Sequence, residues 1–491
     1  MELLKEELNR VVDYVAPYLQ LANSHTVDFI VNDTWQRVIP EEIRIHSDRI
    51  EVHDVLDAFY RNDSSITNLI QQFIEQATEH ELKHSRYFKP IDELNFPKNG
   101  SKSSVKITEF MSAKKLHEVE SMSQFVADVA SLSNTSLIVD IGSGKGYLTS
   151  VLALQHRFKI LGIDCSQTNI TGATKTTMKL EKKWKVYQRR SQNLTKEKPP
   201  PTNQVAKEPC SSNEEYHNKY KWKSAIVGDL YKQRVQSISK TTNMDDILSE
   251  EYPREDHQNV LLVGLHTCGN LAPACLELLV ENRNRIKSIV NIGCCYHLLE
   301  EKFVSNPDWL KRNSVCGNPT FPMSEYLTER RFALGRDARM CGTQKPINLK
   351  DSDEITNATK PLFYRALLQK LMIEKLSADD FPQGMTGRIA HKCNTFREYL
   401  TKAEKKLDVN LQVNDQDLDS FVEQNTLHWD RLKIFFILKS ALSPVIESII
   451  LLDRLLYLFE NNISNAFVVR LFDPDVSPRC HAIVALPPSQ L

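Results

Sequence analysis

The chain has 491 residues, 41% of them hydrophobic and 25% charged, enough to bury a large core and to form more than one folded unit. Its formal net charge of −1 excludes a global electrostatic pull toward nucleic acid or an anionic membrane. Ten cysteines are scattered without the spacing of a small disulfide scaffold, and no signal peptide precedes them, which points to a reducing intracellular compartment, cytoplasmic or nuclear.

Residues 1–100 predict a helical unit. The run LLKEELNRVVDYVAPYLQLA keeps apolar residues at three- and four-residue spacing until Pro17, and residues 52–77 continue in the same manner. Nothing in this unit carries chemistry, so packing or partner binding is its expected role. The string EFMSAKKLHEVESMSQFVADVASL then predicts a loop and a helix, with Lys114, Lys115 and His117 near the helix start. Those three either line a ligand cleft or form a solvated helix end.

SLIVDIGSGKGY, residues 136–147, organises the rest of the chain. Leu137, Ile138, Val139 and Ile141 suit a parallel strand covered on both faces. Asp140 interrupts them, and Gly142, Gly144 and Gly146 come next at alternate positions. Such a turn lets backbone approach a ligand and opens a helix whose amides face it. FKILGID supplies a second strand ending at Asp164, at the spacing of an acid that accepts ribose hydroxyls. Residues 174–190 predict a basic helix that either touches RNA phosphates or forms a solvated face, and the polar, proline-containing 191–220 reads as a disordered insertion.

SAIVGDL, residues 224–230, predicts a third strand, with Asp229 at its end placed to accept from an exocyclic amine. Residues 259–265 predict a fourth, followed by HTCGNL, and residues 288–292 a fifth, followed by GCCYHLL. Ligands of open α/β sheets bind outside the carboxyl ends of the strands, so the chemically suggestive strings share one edge. The most apolar stretch, residues 434–452, contains Lys439, Pro444 and Glu447 and suits a buried helix better than a membrane span. Two β-rich runs, residues 466–472 and 481–486, close the chain, with DPDVSPR turning between them.

The glycine spacing departs from the G-x-G-x-x-G of nicotinamide-binding turns. The D-x-G-x-G-x-G pattern instead resembles motif I of class I S-adenosylmethionine (SAM)-dependent methyltransferases. VDIGSGKGYL, GLHTCGNL, NIGCCYHLL, FPMSEYL, LLDRLLYLFE and LFDPDVSPR together resemble the methyltransferase-like protein 25 family. The glycine string is also similar to that of ribosomal RNA adenine dimethylases, and the cysteine-histidine string, more loosely, to a tRNA 2′-O-methyltransferase family. The resemblance implies an α/β fold: a Rossmann-like seven-stranded sheet of five parallel strands closed by a C-terminal antiparallel hairpin. It divides the chain into a helical unit (1–100), a SAM-binding core (101–330), a helical insertion (331–440), and the last helix with the closing hairpin (441–491).

The resemblance further implies SAM as cofactor, bound by Asp140, Gly142, Ser143, Gly144, Gly146, Asp164, Asp229 and Leu230. It implies the cofactor more than the substrate; the expected reaction is methyl transfer to a macromolecule, RNA or protein, with a catalytically silent SAM-binding scaffold as the alternative. His266 is a candidate general base, and Tyr296 and His297 are candidates for shaping the acceptor pocket. The chain departs from adenine N6-methyltransferases after strand four, where His266-Thr267-Cys268-Gly269 stands in place of their Asn/Asp-Pro-Pro string. A zinc reading of His266, Cys268, Cys294, Cys295 and His297 meets two objections: no CxxC pair exists, and adjacent Cys294 and Cys295 face opposite ways if the strand continues through them. No metal is therefore expected.

Overall fold

The computed structural model describes residues 1–63, 68–94, 96, 111–194, 228–253, 259–304, 319–345, 347–377, 381–382, 384 and 386–488. The insertion expected at 191–220 lies outside them, except that the backbone of a helix, Gln167–Leu194, reaches its first residues. The chain forms two compact units. One comprises Met1–Phe88, Cys268–Asn270 and Cys294–Ser464; the other comprises Lys89–Thr267, Leu271–Gly293 and Asn465–Leu491.

The first unit is helical. Its N-terminal helix, Glu2–Val15, buries Leu4, Leu8, Val11, Val12 and Val15, a stripe at helical spacing, against the helix Ser443–Glu460. That second helix starts at Pro444, which suits a first turn because its missing N–H needs no partner there. It is apolar on most sides and buried accordingly. The sequence assigned it to the sheet; the structure places it in the helical unit. Its buried Asp453 accepts from the N–H groups of Met323 and Ser324 at 2.7 and 3.0 Å and from the Ser324 hydroxyl at 2.6 Å. Glu460 accepts from the N–H groups of Glu325 and Tyr326. The strings LLDRLLYLFE and FPMSEYL are thus two halves of one hydrogen-bonded packing unit. Together with the helix Thr426–Ala441, this is a stretch long and apolar enough to cross a membrane by length and composition, and most of it is buried inside the protein.

The second unit contains the sheet. Its strands are β1 (Phe88–Lys89), β2 (Leu137–Ile141), β3 (Lys159–Asp164), β4 (Tyr231–Val235), β5 (Val260–Cys268), β6 (Ile286–Cys294), β7 (Ala466–Arg470) and β8 (His481–Ala485), in the order β1-β7-β8-β6-β5-β2-β3-β4. Strand β2 is parallel to β3 and β5, and β3 to β4; β8 is antiparallel to both β6 and β7. This is a class I Rossmann-like sheet closed by a C-terminal hairpin; the seven expected strands are joined by an eighth, the two-residue β1 beside β7. Strand β2 is buried along its whole length, as its β-branched run requires. The core continues through Val119, Met122, Val126, Leu152, Ile160, Leu261, Val290, Phe467 and Val484.

One strand corrects the sequence reading. Gly228–Leu230 form a turn, and the third parallel strand is the YKQRV segment just after it, β4. Its register pairs Ile160 with Tyr231 and Asp164 with Val235. Asp229 and Leu230 therefore sit at the amino end of the strand, where Leu230 O accepts from Ile160 N at 2.7 Å. That is the edge opposite the glycine turn. The placement that gave Asp229 and Leu230 a part in cofactor binding does not hold.

Candidate functional site

The carboxyl ends of β2 and β3 meet in the glycine turn. Gly142, Gly144 and Gly146 all adopt positive φ, at +71°, +55° and +70°, a region that L side chains enter at a cost. The turn is bolted to β3: Gly142 N and Ser143 N donate to Ile163 O at 2.8 and 3.1 Å. Gly144 N donates to Asp164 Oδ2 at 3.0 Å, while Asp164 Oδ1 accepts from Ser166 N and from Asn169 Nδ2. The acid read as a ligand group thus also shapes the loop it faces.

The three glycines differ in their surroundings. A Cβ on Gly146 would meet Ala173 Cβ and Tyr231 Oη at 2.7 Å, and one on Gly142 would meet Leu271 Cδ2 at 3.1 Å. On Gly144 the nearest atom is Gly142 O at 3.8 Å, so the space over that residue is open. Beneath the turn Asp140 is only 2% exposed, and its Oδ1 has no hydrogen-bond partner among the described residues. Burial, reinforced by the charge of Asp164, pushes its carboxyl up to about 8. The buried Ser143 Oγ also lacks a partner. A buried acceptor without a donor is costly. The carboxyl end of β4 lies at Val235, and the N–H of Gln236, next in the chain, donates to Asp164 O at 3.0 Å.

At the carboxyl end of β5, next to β2, His266 adopts φ +64°. A left-handed histidine inside an extended strand is strained, which is a feature of functional positions. Its Nε2 lies 2.9 Å from Glu118 Oε2. Glu118 is fully buried within the helix Ala113–Leu132. The same carboxylate holds Lys115 Nζ at 2.6 Å and accepts from the Ser477 hydroxyl at 2.7 Å. Burial alone would raise its pKa, but hydrogen bonds from His266 and Lys115, the His266 charge, and the Ser477 hydrogen bond outweigh it and hold the carboxyl near 2. His117 accepts from Asp473 N at 3.0 Å. Lys115 pairs with Glu118 one turn along the same helix, and His117 ties that helix to the hairpin turn. Glu118 itself was not singled out from sequence. The only available signal was an acid in an otherwise apolar helical stripe.

The other acceptor-side candidates fall elsewhere. Tyr296 and His297 belong to the helical unit. Tyr296 is fully buried, its hydroxyl donating to Glu447 Oε1 at 2.8 Å with Arg454 against its ring. It is a core residue rather than part of a pocket wall. His297 Nδ1 is buried without a hydrogen-bond partner among the described residues, and burial lowers its pKa.

The sheet order and the closing hairpin define a class I Rossmann-like fold. Residues 114–302 match the family model described as a methyltransferase domain. More particularly, the chain is similar to methyltransferase-like protein 25. It is 28% identical to the probable methyltransferase-like protein 25 of Mus musculus, over 98% of this chain and 96% of that protein. It is also 28% identical to the Homo sapiens protein of the same name, over 99% and 98%. The likeness read from the sequence strings thus extends over nearly the full chain.

Proposed function

We propose that this protein is a SAM-dependent methyltransferase acting on a macromolecular acceptor, RNA or protein. The observation that carries the cofactor is the partnerless Asp140 Oδ1 beneath a glycine turn left open at Gly144. SAM carries an ammonium and a sulfonium, and when bound it supplies an electrophilic methyl group. Gly142–Gly146 would hold its amino-acid portion with Asp140 as counter-charge, Asp164 the ribose, and the residues from Gln236 onward the base.

The protein's own chemistry is positioning and proton removal. His266 stands ready to take a proton from a hydroxyl, imidazole or amine acceptor. Glu118 fixes the ring and stabilises the imidazolium that forms, as a buried carboxylate does for a histidine base.

The test is calorimetry with SAM, followed by labelled SAM in extract from cells lacking the protein, split into RNA and protein fractions. Micromolar or tighter binding that Gly144→Arg abolishes, and label in one fraction, is the expected result. Equal binding by wild type and Gly144→Arg would overturn the cofactor assignment. Binding without label in either fraction would leave a SAM-binding scaffold.

A further inference from the structure

We propose that Cys268, Cys294 and Cys295 form a binding site for a thiophilic cation, zinc in the first instance, held by three thiolates with a fourth position open to water or an exogenous ligand. The three Sγ atoms all lie within 4.8 Å of one another, and none of the three cysteines is in a disulfide. The Cys268 and Cys294 sulfurs approach to 3.0 Å. Two thiolates on one tetrahedral zinc, each at about 2.3 Å, stand roughly 3.8 Å apart. The 3.0 Å approach and the 4.8 Å upper bound lie within about 1 Å of that value, so small side-chain rotations suffice to admit an ion.

The backbone answers the objection that adjacent cysteines face apart. Strand β6 ends at Cys294, and Cys295 takes a left-handed conformation, φ +51° and ψ +49°. That residue is not extended, so the alternation of a strand stops there and both thiols turn toward Cys268. Gly269, beside Cys268, is also left-handed at φ +53°, and its N–H donates to Cys294 O at 3.2 Å. A Cβ on Gly269 would meet Leu298 Cβ at 2.8 Å, so only glycine lets the two segments come this close.

The turn that presents Cys295 is fixed from behind. Leu298 N donates to Cys295 O at 2.8 Å. The buried Arg339 guanidinium donates to Tyr296 O at 2.8 Å and to Leu299 O at 2.5 Å, and the Tyr296 hydroxyl is anchored on Glu447. A left-handed, non-glycine cysteine held by a buried arginine is a strained arrangement. An all-sulfur donor set selects soft ions, zinc or copper(I), over magnesium or calcium. Cys268 is exposed and Cys294 buried, so the site has an outer side through which an ion enters.

The test uses the full chain, purified reduced and without chelator, then loaded with zinc, cobalt(II) or copper(I) and desalted. Elemental analysis should find one ion per chain. Cobalt(II) should give the intense near-ultraviolet absorption of thiolate coordination and the visible bands of a tetrahedral site. Cys268→Ser, at an exposed position, should weaken zinc binding roughly 100-fold or more, beyond the loss caused by changing residues that only support the ligands, and Cys295→Ser likewise; Cys165→Ser should not. Circular dichroism confirms that each variant is folded. Copper(I) retained against zinc would assign the site to copper. Metal content in Cys268→Ser equal to wild type, or cobalt(II) without thiolate absorption in the folded wild-type chain, would overturn the proposal. So would recovery of Cys268 and Cys294 as a disulfide that forms equally fast with and without zinc.

Discussion

His266 Nε2 lies 2.9 Å from Glu118 Oε2, joining a left-handed residue at the end of β5 to a fully buried carboxylate in the helix that precedes the sheet. The pair is supported on both sides, by Lys115 and by Ser477 of the hairpin turn. Helix, strand end and hairpin therefore converge on one carboxylate.

Glu118→Gln should retain SAM binding and lower turnover by about 100-fold or more, the usual scale of a general base and its partner. Single-turnover kinetics checks this, and turnover equal to wild type would remove the pair from the mechanism. The variant also has a stability signature. Glu118 is held near 2 in the folded chain against an ordinary 4.5. Its contribution to stability is therefore fully present above pH 4.5 and is lost as pH falls toward 2. Acid unfolding followed by circular dichroism should show that component in wild type and not in Glu118→Gln.

The strands that sequence located are the ones buried on both faces. LIVDI and KILGID need continuous apolar residues because helices cover them. Strand β4 escaped because, among the described strands, it is at the edge and hydrogen-bonded to β3 alone, and it is half-exposed along YKQRV. The more apolar SAIVGDL upstream competed for the assignment and carried Asp229 to the wrong end of a strand. Glu118 was illegible for a different reason: its role comes from His266 and Ser477, 148 and 359 residues away. Cys295 was expected to face away from Cys294 if the strand continued; the strand ends at Cys294, and the next residue is left-handed.

Tyr296→Phe separates a core role from a site role. The change removes the donor at 2.8 Å from the buried Glu447 carboxylate, and the expected cost is about 1–3 kcal/mol of stability. Denaturant unfolding should show that loss with SAM affinity and turnover per folded molecule unchanged. A large fall in turnover at unchanged stability would return Tyr296 to the acceptor pocket.

Asp140 should make both stability and ligand binding depend on pH. Its carboxyl titrates near 8 in the folded chain against an ordinary 3.8. The folded protein keeps this proton where the unfolded chain releases it, so stability falls as pH rises from 3.8 to about 8 and levels off above. Thermal melts of Asp140→Asn should lack that slope. A cationic ligand favours the ionised carboxylate, so binding releases a proton, and affinity should rise with pH up to about 8 and then flatten. Calorimetry in buffers of different ionisation heat measures the proton directly. A pH-independent affinity in wild type would separate Asp140 from the ligand.

Gly144 and Gly146 share a left-handed backbone, yet their alanine variants should behave differently. Gly144→Ala adds a methyl to open space, so the chain bears only the conformational cost of about 1–2 kcal/mol. It should fold while the new methyl narrows the ligand's space and weakens SAM binding. Gly146→Ala bears the same cost and also drives a Cβ to 2.7 Å from both Ala173 and Tyr231, an overpacking penalty of about 1–3 kcal/mol more. Denaturant midpoints should therefore place Gly146→Ala well below Gly144→Ala, while SAM affinity of the folded fraction should fall further in Gly144→Ala. A reversed order of stabilities would mean that the helix after the turn shifts to absorb a side chain at position 146, and that the turn is not the rigid cradle its hydrogen bonds to β3 describe.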